Sequence, residues 1–293
     1  MKTPRIFHHI RKGQIFTLEE ARDVLGTQGN TLRKRLSELT SRGYITHIRQ
    51  GLYRLNPIGE QESRLVSSPF ALASKVSPVN YLGYKSALYF LTGTPIPIGE
   101  TICIVSPTKF NSFQFEGRFY IWLNNEENSH LYQSSIDDHG ITYPVQSTDI
   151  ERTIADNLKR PHHAPAFLDL IRLCQALPSP PQWEALLNYC EFLNTQTVFN
   201  RLGLLLEHLK KAWSVPAEVF AHLEGRMSRR PTGWPTPTST VSSFSGNASF
   251  AVGHTSPSLG IPGVEGQERW KILFEPIPSS ASKPSSRLIL DLS

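Results

Sequence analysis

Apolar positions in the first 45 residues recur at the spacing of two short helices separated by a tight turn. Residues 17–20, Thr-Leu-Glu-Glu, form a capping box, in which a threonine and a glutamate satisfy the first backbone N–H groups of a helix. Gly26 ends that helix, because glycine adopts the left-handed conformation at a helix C-terminus without steric cost. A second helix is predicted over residues 28–42, and its buried stripe consists of Leu32, Leu36 and Leu39.

After the second helix, the apolar pattern changes to the spacing of short strands. Residues 44–48 and 52–55 are two β-like runs, and Gly51 provides the permissive backbone for the turn between them. Arg49 and Gln50 are therefore expected to project from the tip of a hairpin.

The composition changes along the chain, and its length allows two domains. Residues 1–56 form the first predicted domain, and the polar residues 57–69 form a linker. Residues 70–230 form a second domain, in which β-like runs precede a series of helical patterns. Residues 231–293 are rich in Pro, Ser, Thr and Gly and predict an irregular tail, with one possible strand at 269–274.

The predicted fold class is α+β: an N-terminal winged helix-turn-helix, followed by a mixed α+β domain with a helical C-terminal part. The other predicted helices are 4–11, 83–92, 149–158, 165–176, 182–193, 197–211 and 216–224, and the strands of the second domain are 101–106, 118–123 and 140–145.

Basic charge is concentrated at the N-terminus. The first 60 residues carry 11 of the 30 Lys and Arg residues but only 5 of the 25 Asp and Glu residues, so the whole net charge of +5 originates there. A basic surplus confined to one small domain is typical of a phosphate-binding surface. Together with the helix order it predicts DNA binding, and a winged-helix protein-interaction module is the alternative.

The second predicted helix presents a polar, partly basic face opposite its leucines, counting about 100° per residue. Asn30, Lys34 and Ser37 are the candidates for contacts with base edges, and Thr31 flanks them. The candidates for phosphate contacts are Arg33, Arg35, Arg42 and Arg49, and Gln50 at the hairpin tip completes the predicted DNA-binding set.

An acidic cluster in the second domain suggests an alternative function. Asp149, Glu151 and Asp156 could hold a metal ion for phosphoryl transfer, as in a DNA-directed nuclease or nucleotidyltransferase. Helical geometry argues against this, because Asp149 and Glu151 lie about 200° apart around the predicted helix axis. We therefore expect no catalytic residue, no metal site and no cofactor. The dense aromatics of this domain predict a core, with a partner surface or a small-ligand sensor as the alternatives.

Three cysteines, Cys103, Cys174 and Cys190, include no Cys-x-x-Cys pair and predict unpaired thiols in a reducing compartment. No run approaches the ~18 apolar residues of a membrane helix, and the N-terminus lacks the apolar run of a signal peptide. We expect a cytoplasmic protein without membrane contact.

Four segments together resemble the AbiEi family of bacterial antitoxins and transcriptional regulators, over most of residues 5–225. They are Gly51-Leu52-Tyr53, GYKSALYFLT at 83–92, DIERTIADNLKRP at 149–161 and RLGLLLEHL at 201–209. The resemblance implies a winged helix-turn-helix that binds inverted repeats near its own promoter, and a C-terminal domain that counters a partner toxin. In that family the toxin is a nucleotidyltransferase, and such type IV systems are thought to need no stable antitoxin–toxin complex.

The expected function is therefore a non-enzymatic DNA-binding autorepressor that is also the antitoxin of an AbiE-like toxin–antitoxin pair, a system of abortive infection and phage defence.

Overall fold

The computed structural model describes residues 6, 9–11, 13–57, 66–124, 129–234 and 267–274. Within these ranges the chain has the mixed α+β fold that the sequence predicts. A small hydrophobic core lies within the first 55 residues, and a larger one occupies the rest. Three residues from the N-terminal segment, Ile15, Ile48 and Leu52, belong to the larger core.

The N-terminal unit contains both predicted helices and the hairpin, preceded by a short strand. Its elements are β1 (Ile15–Thr17), α1 (Leu18–Leu25), α2 (Gly29–Ser41), β2 (Ile45–Arg49) and β3 (Leu52–Leu55). The Thr17 side chain accepts the Glu20 N–H while the Glu20 carboxylate accepts the Thr17 N–H, so the predicted capping box is confirmed. Antiparallel pairing places β3 between β1 and β2.

A six-stranded mixed sheet follows, with two helices packed against it. Its helices are α3 (Pro69–Ser74) and α4 (Tyr84–Leu91), and its strands are β4 (Tyr81–Leu82), β5 (Thr101–Val105), β6 (Phe113–Phe115), β7 (Arg118–Leu123), β8 (Leu131–Asp138) and β9 (Ile141–Thr148). The strand order is β6-β7-β5-β4-β9-β8. The sequence predicts β5, β7 and β9 but not the other three.

All five predicted C-terminal helices are present. They are α5 (Ile150–Lys159), α6 (Phe167–Gln175), α7 (Trp183–Phe192), α8 (Gln196–Trp213) and α9 (Ala217–Arg226). The long helix α8 contacts α5, α6 and α9. Leu202, Leu204, Leu205 and Leu206 are all fully buried, which is the pattern of a helix surrounded by protein.

Within the predicted irregular tail, the possible strand at 269–274 is confirmed for Ile272–Phe274, whereas Thr232–Trp234 and Gln267–Trp270 are ordered where irregular structure or a strand is predicted. β10 (Thr232–Trp234) pairs in parallel with β11 (Ile272–Phe274), and the short helix α10 (Gln267–Trp270) precedes β11. The indoles of Trp234 and Trp270 are buried in the larger core, so these residues belong to the folded domain. Burial of these two large aromatic side chains stabilises the segments, although the residues around them in the sequence are mostly polar. The rest of the predicted tail lies outside the described residues.

The predicted linker is partly structured. Ser67 is buried, and α3 already begins at Pro69, so the second domain starts before residue 70. Residues 58–65 lie outside the described ranges, as does most of the predicted helix over 4–11. Among the described helices, none combines the length and the apolar character needed to cross a membrane.

Candidate nucleic-acid interface

The outer face of α2 is exposed as the sequence predicts. Leu32 and Leu36 are buried beneath the helix and hold it on the small core. Every α2 candidate is exposed, together with the C-cap residue: Asn30, Thr31, Arg33, Lys34, Arg35, Ser37 and Arg42. These residues include four cations, and Glu38 is the single exposed acid between positions 29 and 42. The surface is therefore polar with a net positive charge.

The turn between α1 and α2 sets the angle of this surface. Gly26 adopts φ 61°, in the left-handed region, and its N–H bonds to the Arg22 carbonyl. This is the predicted helix end, and it lets the chain reverse within three residues. The Arg35 guanidinium lies 3.5 Å from the Leu25 carbonyl at the C-terminal end of α1. A cation is favoured there because the last carbonyls of a helix carry partial negative charge.

Two residues that the sequence pattern does not single out, His47 and Tyr53, lie beside α2. His47 on β2 faces Tyr53 on β3, and their rings lie 5.2 Å apart. Tyr53 also stacks on Phe16, and burial raises its pKa while the nearby Arg33 charge lowers it. Arg33, His47 and Tyr53 thus share one side of the surface. Strand alternation was the available signal, since paired positions on adjacent strands point to the same face.

The structure corrects the position of Arg49. Its Nη1 donates to the Val76 carbonyl at 3.1 Å, and its guanidinium lies 5.2 Å from the Phe110 ring centroid. Burial lowers the pKa of Arg49. The tip docks on the second domain because Ile48 and Leu52 are apolar and join the larger core. Arg49 therefore does not project from the hairpin, whereas its neighbour Gln50 remains exposed.

Polar contacts fasten the N-terminal unit to the sheet. The buried Arg54 forms an ion pair with Glu116 and donates to the Ser67 hydroxyl at 3.0 Å. The Ile15 N–H donates to the Tyr143 hydroxyl at 2.9 Å. A more exposed ion pair joins Lys75 to Glu20 at 2.7 Å. These contacts and the docked hairpin tip form a joint between the N-terminal unit and the sheet, and the outer face of α2 lies outside this joint.

The acidic cluster of α5 is divided among separate contacts. The Asp149 carboxylate caps α5 by accepting the Arg152 N–H at 2.8 Å, and the Glu151 carboxylate accepts the Gln182 N–H at 2.7 Å. Asp156 pairs with the buried Arg152 at 3.2 Å, and burial raises the pKa of Asp156. In the described ranges, no group of three His, Cys, Asp or Glu side chains is arranged to hold a metal ion.

The three cysteine thiols are buried, and the two adjacent histidines, His162 and His163, pack against neighbouring rings. Cys103, Cys174 and Cys190 are free and buried, and burial raises the pKa of Cys103 to about 11. Burial, followed by nearby cations, lowers the pKa of His163 to about 4. Its ring lies 4.2 Å from that of His162 and 5.1 Å from that of Tyr84.

The comparisons with known proteins establish a fold relationship only. No protein-family model matches the chain, and no curated protein matches it by sequence. Among solved structures, the crystal structure of RV2827C protein from Mycobacterium tuberculosis is similar, with a TM-score of 0.53 and 14% sequence identity. The similarity covers 89% of this chain and 86% of that chain. At this identity it shows that the two chains share a fold.

Proposed function

We propose that residues 13–56 form a winged helix-turn-helix whose second helix, α2, enters the major groove of DNA. The element order supports this assignment, since the second helix of such a motif reads the groove and a hairpin follows it. The strand β1 completes a small sheet with that hairpin. An α-helix fits the major groove, which is about 12 Å wide.

The observation that carries the proposal is the uncovered face of α2. Asn30, Lys34 and Ser37 are exposed along its centre, where base edges would lie. Arg33 and Arg42 are exposed on the same helix and would reach the phosphates on either side. The joint with the second domain buries the hairpin tip but none of these side chains.

The docked wing changes how the DNA would be contacted. Arg49 is engaged with Val76 and Phe110, so it is not assigned to the interface. We assign the flank of the groove to Arg33 on α2, His47 on β2 and Gln50 at the hairpin tip, all of which are exposed.

We further propose that the chain is an autorepressor and the antitoxin of an AbiE-like type IV toxin–antitoxin pair. The resemblance over residues 5–225 supports this role, with an N-terminal unit for DNA and a second domain for the antitoxin activity. The partner would be a nucleotidyltransferase toxin, countered with or without direct contact. The operator would be an inverted repeat in the chain's own promoter.

DNA binding is tested by fluorescence anisotropy with the native upstream duplex. Arg33→Ala combined with Lys34→Ala should weaken binding about tenfold or more, a loss of roughly 1.4 kcal/mol. The matched control is Lys211→Ala combined with Arg229→Ala, which removes the same charge from exposed positions of the helical part. Equal weakening by both pairs would mean that net charge, and not the α2 face, determines binding.

Antitoxin activity is tested by co-expression with the open reading frame beside this gene. If that frame encodes a growth-arresting nucleotidyltransferase, the full chain should restore growth. The Arg33/Lys34 double variant should also restore growth when expressed from an unrelated promoter, because its second domain is unchanged. Growth arrest that persists with the wild-type chain would refute the antitoxin role and leave the DNA-binding role standing.

A further inference from the structure

The strand β8 forms one edge of the six-stranded sheet and pairs only on its β9 side in the described part of the chain. It is eight residues long, whereas β6 at the opposite edge has only three. An edge strand presents a row of backbone N–H and C=O groups that can pair with another chain. Because β8 is longer, it offers more unpaired backbone groups to another chain than β6 does.

The hydrogen-bond pattern shows which backbone groups of β8 point outward. The Asp149 N–H donates to the His130 carbonyl at 3.0 Å, just before the β8–β9 ladder begins in the same register. Bonded and non-bonded pairs alternate along an antiparallel ladder. The residues whose N–H and C=O groups face away from β9 are therefore Leu131, Gln133, Ser135 and Asp137.

Three of the usual protections of an edge strand are missing from β8, although it ends in the acidic pair Asp137 and Asp138. The segment has no proline and no lysine, and its pairing with β9 runs without a bulge from Leu131 to Asp138. Ser134 and Ser135 are exposed, and Tyr132 keeps 46% of its surface accessible. In the described part of the chain, no hydrogen bond reaches the outward backbone groups.

We propose that β8 pairs antiparallel with β8 of a second copy of this chain, joining the two sheets edge to edge. One register, with Ser134 opposite Ser134 of the second copy, uses every outward residue. Gln133 then bonds with Ser135 of the other copy, and Leu131 bonds with Asp137, which gives about eight backbone hydrogen bonds.

The side chains in this register favour a copy of the same strand. Tyr132 lies opposite Ile136 of the other copy twice, and an aromatic ring facing a β-branched side chain stabilises a sheet. The two Asp137 carboxylates lie at opposite ends of the new ladder, so no like charges face each other. The strand is self-complementary in backbone and in side chains, and this makes a second copy the preferred partner over an unrelated extended segment.

The pairing would also space two DNA-binding units, a consequence that rests on the proposed function. The Arg11 guanidinium donates to the Gly140 carbonyl at 3.3 Å, so the N-terminal unit adjoins the β8–β9 turn. Asp138 lies four positions beyond Ser134, which is about 14 Å along the strand at 3.4 Å per residue. Because the two copies run in opposite directions from the central Ser134 pair, the two turns lie roughly 27 Å apart. Half-sites one helical turn apart are about 34 Å from each other, a comparable distance.

Disulfide trapping tests the pairing and its register. Ser134→Cys should form a covalent dimer under mild oxidation, because directly opposed residues in a non-bonded pair are about 4.5 Å apart between Cα atoms. Ser135→Cys should not react with itself, since its own copy would lie roughly 8–9 Å away. It should react with Gln133→Cys when the two variants are mixed. The native thiols of Cys103, Cys174 and Cys190 are buried and should not interfere.

Sedimentation of the full chain provides a second readout. The average mass should rise from 33.0 kDa toward twice that value with concentration. Ser135→Pro should keep the chain monomeric, since it removes an outward donor without breaking the β9 ladder. Trapping of Ser135→Cys as readily as Ser134→Cys, or a wild-type chain that stays monomeric at about 100 μM, would overturn the proposal. A trapped dimer that fails to bind DNA would instead count against the proposed function, and DNA binding by an untrappable monomer would count against the pairing alone.

Discussion

The ion pair between Arg54 and Glu116 should be a major source of stability at the joint between the N-terminal unit and the sheet. The Arg54 side chain is 5% exposed and that of Glu116 is 19% exposed, and Glu116 also accepts the Ser67 N–H at 2.9 Å. Glu116→Ala removes the carboxylate and leaves the guanidinium buried. Breaking a buried pair in this way costs about 3–5 kcal/mol.

We expect a value at the lower end of that range, about 3 kcal/mol. In this variant the Arg54 guanidinium retains its hydrogen bond to the Ser67 hydroxyl, at 3.0 Å, and its position 5.5 Å from the centroid of the Phe115 ring. Both contacts offset part of the lost attraction. The matched control is Lys75→Ala, which breaks the second ion pair of the joint, with Glu20, where the side chains are 26% and 39% exposed. An exposed pair of this kind contributes only about 0.2–1 kcal/mol.

The assay is urea unfolding followed by tryptophan fluorescence and by far-UV circular dichroism. All five tryptophans lie outside residues 1–56, so fluorescence reports the second domain while dichroism reports the whole chain. Glu116→Ala should lower the free energy of unfolding by about 3 kcal/mol, and the dichroism transition should begin at lower urea than the fluorescence transition. A loss below about 1 kcal/mol, or one equal to that of Lys75→Ala, would refute the assignment of stability to burial of this pair.

Three further predictions test separate parts of the structure. Gly203→Ala would place a Cβ 2.1 Å from the Trp270 ring. This overpacking should lower the free energy of unfolding by about 2–3 kcal/mol in the same assay. The control is Gly225→Ala, where no atom lies within 4 Å of the added Cβ, and this variant should be as stable as the wild type or slightly more stable. Thr17→Ala removes the side-chain cap of α1 and should lower the free energy of unfolding, measured in urea, by about 1 kcal/mol. A decrease of less than about 0.3 kcal/mol would contradict the capping role. His163 has its pKa lowered from 6.5 to about 4, so the unfolded chain binds a proton between those values that the folded chain does not, and stability should fall as pH decreases from about 6.5 to about 4. His163→Gln should lose less stability than the wild type between pH 7 and pH 5, and an unchanged pH dependence would contradict the assignment.

The elements that the sequence predicts well are those specified by neighbouring residues. Thr17 and Glu20 cap α1 through bonds within one turn, and Gly26 ends it by its own backbone preference. The exposed face of α2 follows from helical period and buried leucines alone. These signals are local, so they can be recognised before the tertiary structure is known.

The features that the sequence does not predict depend on distant partners. The segment Tyr132-Gln133-Ser134-Ser135 in β8 shows no apolar alternation and is a strand because it pairs with β9. Arg49 lies in the joint because its guanidinium donates to the Val76 carbonyl and packs on the Phe110 ring. Neither residue is near Arg49 in the sequence. Trp234 belongs to a strand because residues 232–234 pair with residues 272–274. The long polar segment between these two strands gives no local signal that they pair.

The salt dependence of DNA binding tests the central claim most directly. Each phosphate contact contributes about −0.9 to the slope of log K against log salt concentration, because binding releases condensed counterions. The wild-type chain on its upstream duplex should give a steep negative slope, and the Arg33→Ala, Lys34→Ala pair should reduce the magnitude of that slope by about 1–2. The Lys211→Ala, Arg229→Ala pair should leave it unchanged. A flat wild-type slope, or the same slope for wild type and the α2 variant, would contradict the assignment of α2 as the DNA-binding surface.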